Sequence, residues 1–146
     1  MITDKYLRFS ENQAITGTDV ASTDIVDLTV ARDIGEGENL FICITVGAAA
    51  FAGGTSIDFI LKGSTDTTIA AGDPTIVSTG AIVTASLTAG SQHIMRIPPL
   101  LASLGYRYIG MFYDVTGTMT AGTVTVDVVK DIQDGKKFYA SGFSVT

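Results

Sequence analysis

The chain has 146 residues, a net charge of −6, only 16% charged residues and a mean hydropathy of +0.37. That length is about one domain's worth, and a single domain over residues 1–146 is expected. Nine scattered Lys and Arg give no clustered basic face, which argues against nucleic acid and against an anionic membrane surface. Thr, Ile and Val supply 20, 15 and 12 residues, together 47 of 146. Such β-branched side chains are stiff at χ1 and suit a pleated sheet better than a helix. The high hydropathy for so small a chain favours some apolar surface being covered by a partner.

The start, Met1-Ile2-Thr3-Asp4-Lys5, lacks a basic segment followed by an apolar stretch, so no signal peptide is expected and synthesis in a cytoplasm is. Ile25 to Val30 reads as a strand, and Asp33 to Asn39 as a turn in which Gly35 and Gly37 can take positive φ. Leu40 to Val46 is a nearly continuous apolar run, the pattern of a strand covered on both faces. A small-residue loop follows from Gly47 to Gly54. Then Ile57, Phe59 and Leu61 alternate with Asp58, Ile60 and Lys62, the period of a half-buried strand.

Asp66 to Gly72 is a loop that Pro74 closes. Thr75 to Val83 and His93 to Ile97 are strand candidates, and Pro98-Pro99 bars any continuing ladder. Leu100 to Leu104 suits a single helical turn. Tyr106 to Val115 and Thr123 to Val129 read as strands divided by Gly117 and Gly122. No helix with strong apolar periodicity appears. About eight short strands at this spacing predict an all-β sandwich or barrel with little helix.

Reactive groups are scarce. His93 is the only imidazole, and no G-x-S-x-G turn presents a serine for it to activate, although Asp114 could partner it. An ordinary half-exposed histidine is the favoured reading. One Cys and one His do not make a zinc set. Asp24 with Asp27, and Asp33 with Glu36 and Glu38, could offer oxygens to calcium but lack the spacing of a calcium loop, so solvated turns are favoured. Gly35-x-Gly37 lacks the third glycine of a dinucleotide site. Cys43 is the single cysteine and sits in an apolar run, so a buried, inert thiol is expected. No enzyme activity, cofactor or metal is expected.

Two stretches could carry binding. Tyr106, Tyr108, Phe112 and Tyr113 could line a sugar-binding surface, with Tyr113-Asp114 as the nearest hint of one, but core packing is favoured. From Pro74 to Met95, 22 residues carry no formal charge. Interface centres are depleted in charge. If Val83, Ala85 and Leu87 point inward, then Thr84, Ser86 and Thr88 face outward as a candidate protein interface. The competing reading is that the segment is simply internal.

Several motifs together resemble a known family. Phe9-Ser10-Glu11-Asn12-Gln13-Ala14, Ile25-Val26-Asp27-Leu28 and Asp33-Ile34-Gly35-Glu36-Gly37 are similar to the tailed-phage capsid cement, or decoration, proteins typified by that of a Bordetella phage. Tyr108 to Val115, Gly117-Thr118-Met119-Thr120-Ala121-Gly122 and Tyr139-Ala140-Ser141-Gly142-Phe143 extend the likeness over most of the chain. The resemblance implies an antiparallel jelly-roll β-sandwich on the outer surface of an icosahedral head, clamping neighbouring subunits of the major capsid protein. It also implies a homo-oligomer, with a dimer on a two-fold axis as the favoured form. A carbohydrate-binding or host-adhesion module on a phage particle is the alternative.

Overall fold

The computed structural model describes residues 4–34, 38–99 and 101–130. Its strands in chain order are β1 (Arg8–Ala14), β2 (Val20–Ala21), β3 (Val26–Asp27), β4 (Leu40–Val46), β5 (Ala52–Gly53) and β6 (Ser56–Ser64). They continue as β7 (Thr75–Val83), β8 (Gln92–Ile97), β9 (Tyr108–Thr116), β10 (Met119–Ala121) and β11 (Thr123–Val129). Among the described residues helix is confined to three single 3-10 turns at Lys5–Leu7, Thr84–Ser86 and Ala102–Leu104.

One sheet has the order β1-β11-β4-β8, and the second has β2-β9-β6-β7 with β3 also paired to β9. Every pairing is antiparallel. If β2 and β3 are taken as one interrupted strand and the small β5–β10 ribbon is set aside, eight strands remain. Numbered along the chain, they run 1-8-3-6 in one sheet and 2-7-4-5 in the other, which is the double-sheet jelly roll.

The two sheets close over one core. Ile42, Ile44 and Val46 of β4 with Val124 and Val126 of β11 face Ile57, Phe59 and Leu61 of β6 with Met111 and Tyr113 of β9. The alternation expected of a strand appears in these rows, since residues two apart share a face. Phe51 and Leu87 also join this core, so the loops that carry them are anchored by burial.

Three elements depart from the sequence-based expectations. β6 is not half-buried, because Ile60 and Lys62 on its outer face are also buried. The loop after β6 folds back over them, packing Ile69 on Ile60 and Phe112, with Ala21 and Ile25 alongside. The Lys62 ammonium donates to the carbonyls of Ala71 at 2.7 Å and Asp73 at 2.9 Å and lies 5.0 Å from the centre of the Phe112 ring. Those carbonyls and the ring face replace part of the water that a buried cation loses.

The strand expected over Ile25–Val30 shrinks to the two residues of β3. Thr29 sits at φ 67 with its N–H bonded to Asp27 Oδ1, a local turn that competes with the ladder. In contrast, β1 has no counterpart among the sequence-based strands. Register shifts on either side of Ser10 bury both Phe9 and Ser10, which destroys the period of two. Gly35 to Gly37 and Leu100 lie outside the described residues, as does the Tyr139–Phe143 motif.

Candidate functional site

The residues with chemical potential are dispersed by this fold. His93 lies on β8 opposite Ile44, on the inner face of the first sheet. Asp114 is exposed on the outer face of the second sheet, in register with Asp58 of β6, so the core separates it from the imidazole. Burial lowers the His93 pKa, opposed by a hydrogen bond with the Ser86 backbone. Nε2 has no hydrogen-bond partner among the described residues. No described grouping of three His, Cys, Asp or Glu side chains has a metal-holding arrangement.

Three of the carboxylates weighed for calcium, those of Asp27, Asp33 and Glu38, serve local structure. Asp27 takes two hydrogen bonds from Arg107, at 2.8 and 2.7 Å, and this pairing pulls its pKa down to about 2. Asp33 Oδ1 accepts the Ala102 N–H at 2.8 Å, and Glu38 pairs with Lys130 at 2.8 Å. Glu36 lies outside the described residues.

Cys43 is on β4, an interior strand, between Asp127 of β11 and Ile94 of β8. It is buried, and desolvation pushes its thiol pKa up. Thiolate is the reactive form, so a thiol reagent is expected to modify Cys43 only once denaturant is added. Labelling followed by mass spectrometry checks this, and fast modification of native protein would contradict the position assigned to β4.

The tyrosines do not make a sugar platform. Tyr113 is fully buried in the core, while Asp114 next to it points to the opposite face. Tyr106 packs on Gly63 so closely that a Cβ there would sit 2.3 Å from its ring. Tyr108 is half-buried with the Arg107 guanidinium 4.9 Å from its ring centre.

The uncharged stretch lies on one side of the sandwich, in β7, the turn after it and the start of β8. Its expected alternation fails. Thr84–Ser86 is a 3-10 turn, so the period is three, and Thr84 and Leu87 turn inward together. Val83 is 54% exposed and Ala85 is exposed, whereas Leu87 is buried. Thr84 is half-buried, its N–H bonded to the Thr55 carbonyl at 3.0 Å and its hydroxyl 3.4 Å from the Gly53 carbonyl. Ser86 and Thr88 do face solvent. The surface here therefore consists of Val83, Ala85, Ser86 and Thr88, with exposed Ser78, Gly80 and Ala81 along β7. Val83 is exposed because it alternates along β7 with Ile82, which packs on the core, so the expected alternation was out of phase by one residue there.

Besides a concavity bordered by Lys5, Tyr6, Arg8, Asp24 and Ile25, two mainly apolar ones are present. A shallow groove runs between Ile76 and Val77 on one side and Arg96, Pro98 and Pro99 on the other. An apolar crevice of about 150 Å³ opens among Leu7, Val26, Ile34, Leu40 and Val128. Neither brings together groups able to do acid–base or nucleophilic work. No described helix is long and apolar enough to cross a membrane.

A search of curated proteins gives no match. A family model, Bbp16, matches residues 9–128, which run from β1 to β11 and so contain both sheets of the jelly roll. With that match over most of its length, the chain belongs to the Bbp16 family, a family of Bordetella phage proteins.

Proposed function

We propose that this chain is a non-enzymatic virion structural protein, a capsid cement that decorates the outside of the icosahedral head and reinforces contacts between major capsid subunits. Membership of a phage protein family carries the reading. The physical character of the domain supports it. A closed double-sheet core is rigid, its reactive side chains are dispersed, and one side presents an uncharged surface on a chain of net charge −6.

Cement chemistry requires no reaction. A protein that binds the assembled shell and not the dispersed subunits stabilises the shell by mass action, by about 2.7 kcal/mol per site at 100 times Kd. A self-associated unit touching two sites adds a gain in effective concentration. Modest contacts therefore suffice.

The test is to assemble heads without the protein and add it back. Heads lacking it are expected to close but to release DNA earlier in a heat ramp, and purified protein is expected to restore their resistance. Heads that are equally robust with and without it would overturn the stabilising role.

A further inference from the structure

The apolar crevice sits at one end of the sandwich, between the sheets. Leu40 begins β4, Val128 lies near the end of β11, and Ile109 and Val26 come from β9 and β3 of the other sheet. Leu7 and Ile34 complete the wall from adjoining segments. The lining stays partly open. Val26, Ile34 and Leu40 are only partly buried against the core, and Leu7 is 40% exposed. Apolar surface left facing water favours an apolar cover.

β11 delivers the chain to this same point. Lys130, the residue after β11, borders the crevice, and its ammonium is held 2.8 Å from Glu38. Sixteen residues, 131–146, follow it in the sequence. Three of them, Phe138, Tyr139 and Phe143, are aromatic, over twice the 8% of the whole chain. Segments that stay in solvent are poor in aromatics. Asp134-Gly135 is a strong short-range signal for a two-residue hairpin loop. A loop closed there sets Phe138 opposite Asp131 and Tyr139 opposite Lys130, back at the rim. The β1 ladder on β11 ends at Arg8–Asp127, so no described strand pairs that side of Val128 to Lys130.

We infer that the C-terminal segment 131–146 turns back at Asp134-Gly135 and that an aromatic ring of Phe138-Tyr139 fills the crevice. The size fits. The crevice holds about 150 Å³, and an apolar space of that volume takes a benzene ring. Tethering selects this occupant over a second copy or a capsid segment. Phe138 lies eight residues beyond Lys130, and a short link gives its ring a local concentration in roughly the millimolar range. A separate molecule competes only above that concentration. The inference goes beyond the cement reading and does not rest on it.

The test is methyl NMR on the purified 146-residue chain, because an aromatic ring seated among methyl groups displaces their resonances. In dilute wild type, the methyl signals of Ile34, Leu40 and Val128 are expected to be displaced. Phe138→Ala/Tyr139→Ala is expected to keep its circular dichroism, to lose those displacements and to leave the methyls of Ile57 and Val115 unchanged. Trypsin is expected to cut this variant after Lys136 or Lys137 roughly tenfold faster than wild type, as the undocked population rises. Phe138→Leu/Tyr139→Leu keeps apolar volume without a ring, so it is expected to lose the displacements yet retain most of the protection. Undisplaced methyls in wild type, or equal trypsin rates for wild type and the Ala variant, would each overturn the inference. Displacements that grow with protein concentration would give the crevice to a second copy, and displacements seen only with added heads would give it to a capsid segment. Either result overturns it as well. Heads that gain nothing from the protein would sink the cement reading and leave this inference standing.

Discussion

Replacing Phe59 by Ala is expected to cost about 3–5 kcal/mol of folding stability, the range for removing a fully buried aromatic ring. Phe59 has no solvent exposure and meets Tyr113 edge-to-face with ring centres 5.7 Å apart. It projects from the middle of β6, between β7 and β9, into the space the two sheets share. The surrounding residues come from paired strands whose backbone ladders resist collapse, so the cavity would persist. Against a total of about 5–15 kcal/mol for an ordinary domain, the loss is a large fraction. Urea unfolding checks it, as a lower midpoint with an unchanged slope. Val83→Ala, on the exposed edge, is expected to change the monomer's stability little and serves as the control. A loss below about 1 kcal/mol for Phe59→Ala would contradict a core shared by both sheets.

The second large effect is expected at a buried polar link between the sheets. Ser10 on β1 and Tyr113 on β9 are both fully buried, and their hydroxyls are hydrogen-bonded to each other. Ser10 donates its own proton to Gln13 Oε1 at 2.6 Å, so the tyrosine hydroxyl is the donor in the inter-sheet bond. Gln13 in turn donates to the Ala21 carbonyl at 2.9 Å and accepts the Thr23 N–H at 3.0 Å, tying β1 to the β2 region. Burial raises the phenol pKa well above its ordinary value, which keeps the proton on the oxygen and the donor in place.

Ser10→Ala would strand the Tyr113 hydroxyl inside the core, at a cost of about 1–3 kcal/mol. Tyr113→Phe is expected to cost less, because Ser10 keeps Gln13 as its partner. The double variant is expected to be more stable than the sum of the single losses implies, since it removes both ends of the bond. Chemical denaturation of the three variants gives the coupling. Strict additivity would show that the two hydroxyls do not depend on each other.

The two sites also mark how far local pattern reaches. β4, β9 and β11 were legible from short apolar runs, and Pro98-Pro99 marked the end of β8. β1 was not, because Arg-Phe-Ser-Glu-Asn-Gln-Ala carries a single large apolar side chain and its register shifts break the alternation. The candidate interface was half legible. A run of 22 uncharged residues was visible, but the strand period was taken one residue out of phase at Val83 and then extended past it, where the backbone turns into a 3-10 geometry, which mis-aimed Val83, Thr84 and Ala85.

Composition and short apolar runs were enough for the fold class, for the burial of Cys43 and for locating a stretch of 22 residues without charge, whose place at the surface they left open. Only the tertiary structure decided what depends on distant partners. The loop carrying Ile69 covers the outer face of β6 and buries Lys62, although that strand alone reads as half-exposed. Tyr113 becomes an inter-sheet hydrogen-bond donor because a serine 103 residues away arrives beside it. β7 becomes an edge strand because sheet order leaves β6 on one side of it and no described strand on the other. Burial and edge status belong to the arrangement of the sheets, and a local pattern of side chains does not contain them.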